Sequence, residues 1–154
     1  MRMILAVDPG KKSGITTFSY EKGSEPRLLA SGEFLMEEYH RPIIEAIQLA
    51  SDGEYALEIV CERFTINAQT IKNSQAPYSL EQIGILKHLM LVNEIDPNTL
   101  LFQSPSDAKR MFDNGALKKL GYWHKGGEGP ALDAMRHGLL RLAKTGWAPV
   151  KLLE

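Results

Sequence analysis

The stretch Met3-Ile4-Leu5-Ala6-Val7-Asp8-Pro9-Gly10 decides the fold, because an apolar strand runs directly into a carboxylate and a turn. Aspartate is depleted in strands and is costly to bury without a partner. Pro9-Gly10 turns the chain back into the β-prone run Ile15-Thr16-Thr17-Phe18, which predicts a hairpin with Asp8 at the surface of the sheet. Asp8 is therefore a candidate metal ligand or catalytic group, although Asp-Pro-Gly is also an ordinary turn sequence.

Two more acids occupy comparable positions. A strand predicted over Tyr55–Cys61 ends in Glu62 and is followed by the polar stretch Arg63 to Tyr78. Gly129-Pro130 predicts the start of a helix with Asp133 in its first turn. An acid there is favoured by the helix dipole alone, but the three acids together predict one site.

Length and composition predict one cytoplasmic domain over residues 1–154, large enough for a core without disulfides. The single cysteine, Cys61, lies in an apolar strand and cannot form an intrachain disulfide. No signal peptide is recognisable at the N-terminus, so a reducing compartment is expected. No apolar run approaches about twenty residues, so no membrane span is expected.

Charge is distributed unevenly along the chain. The formal net charge is only -1, which argues mildly against a general nucleic-acid coating protein. Between Ser104 and Gly127, however, five basic residues face two acidic ones. This stretch is interpreted either as a phosphate-contacting patch or, for Lys118-Lys119, as a solvated helix face.

The predicted element order gives the fold class. A hairpin from Met3 to about Tyr20 and a strand over Arg27–Leu35 precede a helix around Ile43–Leu49 and the strand ending at Glu62. The later elements are a helix over Leu80–Glu94 opened by the capping box Ser79-Leu80-Glu81-Gln82, a short strand over Thr99–Gln103, a helix after Ser104 and the Asp133 helix. The pattern predicts an α/β protein with a mixed five-stranded sheet, its first three strands antiparallel, and helices on both faces.

The Leu80–Glu94 helix is apolar nearly all the way round, so it must be covered on more than one side. Either it is fully buried within the domain, or it forms a two-fold interface. We expect the second, a homodimer formed through this helix.

Three segments resemble the acidic motifs of the RuvC-like Holliday junction resolvases: Ile4–Gly10 with Gly14, Val60–Phe64, and Asp133–His137. A fourth, from Pro105 to Lys118, is similar to the family's lysine-bearing segment. The resemblance covers nearly the whole chain in the right order, and the compact form resembles phage-type members. It implies the RNase H-like (ribonuclease H-like) fold.

The resemblance also implies the chemistry. Asp8, Glu62 and Asp133 would bind two Mg²⁺ ions, or Mn²⁺ ions, roughly 4 Å apart. The reaction would be paired phosphodiester hydrolysis in four-way junctions and related branched DNA, leaving 5′ phosphates and 3′ hydroxyls. Lys118 or Lys109 would offset charge on the scissile phosphate. The expected setting is DNA recombination and repair in the cytoplasm of a bacterial or phage-infected cell.

One position departs from the family. An acid or histidine usually lies one helical turn before the last aspartate, and Pro130 stands there. Glu128 is the favoured fourth metal ligand because carboxylates suit Mg²⁺ better than imidazole does. His124, His137 and a site with only three good ligands are alternatives.

The polar segment after Glu62 is expected to contact DNA. Phe64 matches an aromatic position that stacks on unpaired bases in the family, and the alternative is a surface loop with one anchoring aromatic. The expected DNA-binding residues are Arg63, Phe64, Lys72, Lys109 and Lys118.

Other functions fit parts of the pattern. The actin-like and sugar-kinase superfamily also begins with a strand, an aspartate and a glycine-rich hairpin, but its members are much longer. A catalytically impaired RuvC-like DNA-binding module, or a flap- or RNA-directed nuclease on the same fold, remains an alternative.

Overall fold

A mixed five-stranded sheet organises the computed structural model, which describes residues 1–72, 76–124 and 129–154. The strands lie in the order β3-β2-β1-β4-β5. The first three pair antiparallel, whereas β4 pairs parallel with both β1 and β5. This confirms the predicted sheet; the strands are β1 (Arg2–Asp8), β2 (Lys12–Tyr20), β3 (Arg27–Leu35), β4 (Ala56–Glu62) and β5 (Leu101–Gln103).

Helices cover both faces of this sheet, as predicted. They are α1 (His40–Asp52), α2 (Ala68–Lys72), α3 (Ala76–Val92), α4 (Pro105–Met111), α5 (Asn114–Leu120) and α6 (Pro130–Lys144). No helix in the described ranges is long and apolar enough to cross a membrane.

Strand β1 is apolar from Met3 to Val7 because these residues are buried on both faces of the sheet. Ile4 and Ala6 belong to the core under α6, whereas Met3, Leu5 and Val7 belong to the core under α1 and α3. By the same alternation, Asp8 points to the α6 face.

Glycines allow α6 to lie close against the sheet. A Cβ atom at Gly14 would overlap the backbone carbonyl of Pro130, at the start of α6. A Cβ atom at Gly138 would lie 2.9 Å from the Phe18 ring. These contacts place the first turn of α6 directly over the β1–β2 hairpin.

The predicted capping box at Ser79 is wrong. Helix α3 begins at Ala76, so Ser79 lies inside it, and its buried hydroxyl donates to the backbone oxygen of Pro9 at 3.0 Å. A tertiary contact with the β1–β2 turn therefore uses the hydroxyl that was expected to cap the helix. Pro77 in the first turn suits a helix start there.

Two further boundaries differ from the predictions. Strand β5 starts at Leu101 rather than Thr99, because Pro97–Thr99 forms a 3-10 turn capped by the Asp96 side chain. The segment after Ser104 forms two helices, since α4 ends at Met111 and Asp113 caps α5 by accepting from the Ala116 N–H.

Helix α3 buries one side in the domain and leaves apolar side chains exposed on another. Leu86 and Met90 are completely buried and pack in the core with β1 and α1. Leu80, Leu91 and Val92 are exposed. The apolar residues of α3 therefore lie on two sides of the helix, one packed in the core and one exposed to solvent.

Candidate active site

Strand pairing places one residue of each strand in a row across the sheet. Asp8 pairs with Gly14, Gly14 with Glu33, and Glu62 with Gln103. The parallel register Val7↔Cys61 sets Asp8 beside Glu62. Residues at paired positions share a face, so this row lies under the first turns of α6.

Asp8 and Glu62 lie side by side at the ends of the paired strands β1 and β4. Burial and the negative charges of Glu62 and Asp133 raise the pKa of Asp8 to about 10. Burial also works against ionisation of Glu62, but the hydrogen bond and charge of the adjacent His137 outweigh it and lower the pKa of Glu62. Two adjacent carboxyl groups cannot both ionise easily without a cation.

His137 connects α6 to this pair. Its Nε2 lies 3.3 Å from Oε1 of Glu62, and its Nδ1 lies 3.2 Å from Nε2 of Gln103. The same Gln103 nitrogen donates to the backbone oxygen of His137 at 2.9 Å. His137 is 1% exposed, and Gln103 is also buried.

Arg136 holds Asp133 through an ion pair. Its Nη1 donates to Oδ1 of Asp133 at 2.8 Å, and its Nε donates to the Phe112 backbone oxygen at 2.8 Å. The remaining Nη2 donates to Asn114 at the start of α5. Arg136 is buried, so Asp133 is fixed to the α4–α5 junction from one side.

The two lysines expected to offset phosphate charge lie in different surroundings. Lys109 lines an open cavity of about 640 Å³ together with Asp133 and Arg136. Its positive charge favours the ionised forms of Asp8 and Glu62, although it does not offset the rise in the pKa of Asp8. Lys118 does not line this cavity; its ammonium lies 4.8 Å above the Trp123 ring. The structure therefore favours Lys109 over Lys118 as the cation beside the acids.

The donor set fits a hard divalent cation in part. Asp8 and Glu62 are adjacent, so a cation between them would neutralise two carboxylates. Within the described ranges, however, no three histidine, cysteine, aspartate or glutamate side chains form a group that could hold a metal ion. Oδ1 of Asp133 is instead engaged by Arg136.

The candidates for a fourth ligand are placed differently. Glu128 lies outside the described residues, and His124 is exposed. His137 contacts Glu62 directly. Pro130 is the first residue of α6.

The expected DNA-binding segment begins at the site. Arg63 follows Glu62 and is exposed, and its backbone N–H donates to the backbone oxygen of Gln103 at 2.7 Å. Phe64 is half-buried, and Lys72 is exposed at the end of α2. Ile66 and Ile71 between them are also exposed.

Gln103 and Arg136 were missed as site residues by sequence reasoning. Gln103 ends a strand parallel to the one ending in Glu62, so the rule that singled out the acids applies to it as well. Arg136 lies one turn after Asp133, the spacing of a helical ion pair.

Comparison with known proteins identifies the fold. No protein-family model matches the sequence, and no curated protein matches it. Two solved structures are similar over nearly the whole chain. Thermus thermophilus RuvC in complex with Holliday junction substrate has a TM-score of 0.66 and 15% sequence identity, covering 95% of this chain and 97% of that one. A second structure of Thermus thermophilus RuvC has a TM-score of 0.66 and 14% identity, covering 93% and 96% of the two chains. The chain therefore has the RuvC-like, RNase H-like fold.

Proposed function

We propose that this chain is a metal-dependent, structure-selective endodeoxyribonuclease that cleaves Holliday junctions and related branched DNA by paired phosphodiester hydrolysis. The observation that carries the proposal is the placement of Asp8 beside Glu62 at the ends of β1 and β4, under the first turns of α6, in a RuvC-like fold. Asp133 is near enough for its charge to raise the pKa of Asp8. A junction-bound RuvC among the similar structures supports branched DNA as the substrate.

The proposed cofactor is Mg²⁺, with Mn²⁺ as a substitute, held by Asp8, Glu62 and Asp133. Bound divalent ions would supply an activated water and stabilise charge on the leaving oxygen. Lys109 places a positive charge in the cavity beside Asp133, where it offsets charge on a phosphodiester. Arg136 donates to Oδ1 of Asp133, so Oδ2 is the oxygen proposed to bind the metal ion.

The proposed DNA contacts extend from the acids along the segment after β4. Phe64, two residues beyond Glu62 and half-buried, presents a ring that can stack on an unpaired base. Arg63 and Lys72 are exposed and can contact phosphates. Lys118, also exposed, extends the basic surface along α5.

The exposed apolar side of α3 supports assembly as a homodimer. Leu80 and Leu91 lie eleven residues apart, three helical turns, so they share one exposed face. Exposed Gly84 between them has no atom within 4 Å of its Cβ position, so a second helix can approach closely. Two sites related by this interface would make the paired incision that junction resolution needs.

The function is tested by incubating the protein with a labelled immobile four-way junction, a Y-flap and a linear duplex, each with Mg²⁺ and with EDTA. We expect Mg²⁺-dependent cleavage of the junction and none of the duplex. Asp8→Asn, Glu62→Gln and Asp133→Asn should each abolish cleavage while junction binding persists, because neutralising a ligand leaves the basic surface intact. Asp52→Asn, an exposed acid at the end of α1, is the matched control and should cleave normally.

A catalytically impaired DNA-binding module is the second candidate. The observation that favours it is that Asp133 pairs with Arg136 and no three-ligand group forms among the described residues. Junction binding without cleavage in either Mg²⁺ or Mn²⁺ would establish this alternative. Preferential cleavage of the Y-flap would instead indicate a flap-directed nuclease.

A further inference from the structure

We propose that His137 is a positioning residue that holds Glu62 by donating its Nε2–H, and that Gln103 fixes the tautomer in which it can do so. The inference deepens the proposed function and rests on it, since Glu62 is taken there as a metal ligand. It also removes His137 from the candidate fourth ligands.

The orientation of the Gln103 amide follows from a backbone group. One terminal atom of the Gln103 side chain lies 2.9 Å from the His137 carbonyl oxygen, and a carbonyl oxygen only accepts hydrogen bonds. That atom must therefore be the NH₂ nitrogen, because the amide oxygen would be repelled there. The backbone oxygen of His137 thus fixes the orientation of the Gln103 amide, independently of the histidine ring.

The amide in turn assigns the tautomer of His137. The same NH₂ group lies 3.2 Å from Nδ1 of the ring, so Nδ1 accepts a hydrogen bond and carries no proton. A neutral imidazole with a bare Nδ1 carries its proton on Nε2. Nε2 faces Oε1 of Glu62 at 3.3 Å, so it donates to the carboxylate.

A protonated Nε2 has no lone pair for a metal ion, which excludes this atom as a ligand. Nδ1 is occupied by Gln103. The ring is 1% exposed and enclosed between α6 and the sheet, so it cannot reorient without repacking. Its remaining role is to fix a carboxylate ligand from behind, as outer-shell partners do in metal sites.

The first test reads the tautomer directly in the wild-type protein. Two-bond ¹H–¹⁵N correlation spectra distinguish Nε2–H from Nδ1–H histidine, and His137→Gln identifies the signal among the four histidines. We expect the Nε2–H form with and without Mg²⁺. A dominant Nδ1–H form, or a ring nitrogen that shifts as a directly bound ligand when Mg²⁺ is added, would overturn the inference.

The second test uses a rescue pair at position 137. His137→Gln places an amide N–H near the former Nε2, whereas His137→Phe fills the same space without a donor. With folding verified by thermal melting, His137→Phe should lower Mn²⁺ affinity in calorimetry by about 10- to 100-fold, and His137→Gln should recover most of it. Junction affinity in EDTA should be the same for both.

Equal loss of Mn²⁺ affinity in the two variants would show that the imidazole itself binds metal. If His137→Phe fails to fold, Gln103→Leu provides the same test. It should allow the Nδ1–H form to appear and weaken Mn²⁺ binding, and an unchanged tautomer would contradict the role of Gln103. Neither the spectra nor calorimetry depends on cleavage, so failure of the nuclease assay leaves this inference separately testable.

Discussion

Arg136 donates a 2.8 Å hydrogen bond to Asp133 from three residues farther along α6, and Arg110 and Asp107 form a pair of the same spacing and length on α4. The two pairs differ in burial. The side chain of Arg136 is 8% exposed, whereas that of Arg110 is 77% exposed. The chain therefore contains its own matched comparison of a buried and an exposed ion pair.

Arg136→Ala should destabilise the fold far more than Arg110→Ala. Removing Arg136 leaves Asp133, the Phe112 carbonyl and Asn114 without their donor, which we expect to cost roughly 2 to 4 kcal/mol in urea unfolding. Removing Arg110 should cost less than about 1 kcal/mol, because an exposed pair is well solvated. Equal losses would mean that burial of the Arg136 pair contributes nothing.

Glu58→Gln should reduce stability at neutral pH but not in acid. Partial burial opposes ionisation of Glu58, but hydrogen bonds from Arg141 and Arg2 outweigh it and hold its pKa below the ordinary 4.5. A lowered folded-state pKa means that the unfolded chain binds the proton more tightly. The stabilisation is therefore complete above the unfolded pKa and is lost as the pH falls through the folded value.

The difference between wild type and Glu58→Gln is measured by urea unfolding at a series of pH values. We expect about 1 kcal/mol near pH 7, allowing for solvent screening, and convergence of the two proteins in acid. Glu81→Gln, an exposed acid on α3, should follow wild type throughout. A difference that grew on acidification would contradict the assignment.

The sheet and the positions of the acids could be predicted from the sequence because both depend on local patterns. An apolar run ending in Asp8 and another ending in Glu62 indicate strand ends, and parallel strands bring equivalent ends together. The start of α6 at Pro130, with Asp133 in its first turn, likewise follows from proline at the first helical position.

The remaining features depend on contacts between distant parts of the chain. The local sequence predicts that Ser79 caps a helix, but its hydroxyl donates to the backbone oxygen of Pro9, seventy residues away. The local sequence does not show which of Lys109 and Lys118 lies beside the acids. The packing of α4 and α5 places Lys109 in the cavity and Lys118 over the Trp123 ring. The contact of Gln103 with His137 similarly requires β5 and α6 to pack.

Lys109→Ala should affect turnover, and Lys118→Ala should affect binding. Because Lys109 lines the cavity with Asp133, we expect single-turnover cleavage to fall by roughly one to three orders of magnitude. Lys118→Ala should chiefly weaken junction binding and make its salt dependence shallower by about one unit of slope. Lys119→Ala is the control, since Lys119 donates to the backbone oxygen of Glu154.

The three lysine variants are compared by single-turnover cleavage and by junction titration at several salt concentrations. A larger loss of turnover in Lys118→Ala than in Lys109→Ala would show that Lys118, and not Lys109, acts beside the scissile phosphate. Equal effects in all three would mean that the basic residues act only as a diffuse electrostatic surface.

Leu91→Glu should separate assembly from folding. Leu91 is 61% exposed on α3, so a glutamate there is tolerated by the domain but would be buried in a two-fold interface through this helix. We expect wild type to sediment as a dimer at micromolar concentration and Leu91→Glu as a folded monomer that binds junctions but fails to make paired cuts.

Leu86→Glu should instead unfold the domain, because Leu86 is 0% exposed in the core. Met111→Glu, an exposed apolar position at the end of α4, should remain dimeric. A monomeric wild type, or a Leu91→Glu protein that stays dimeric, would exclude α3 as the interface.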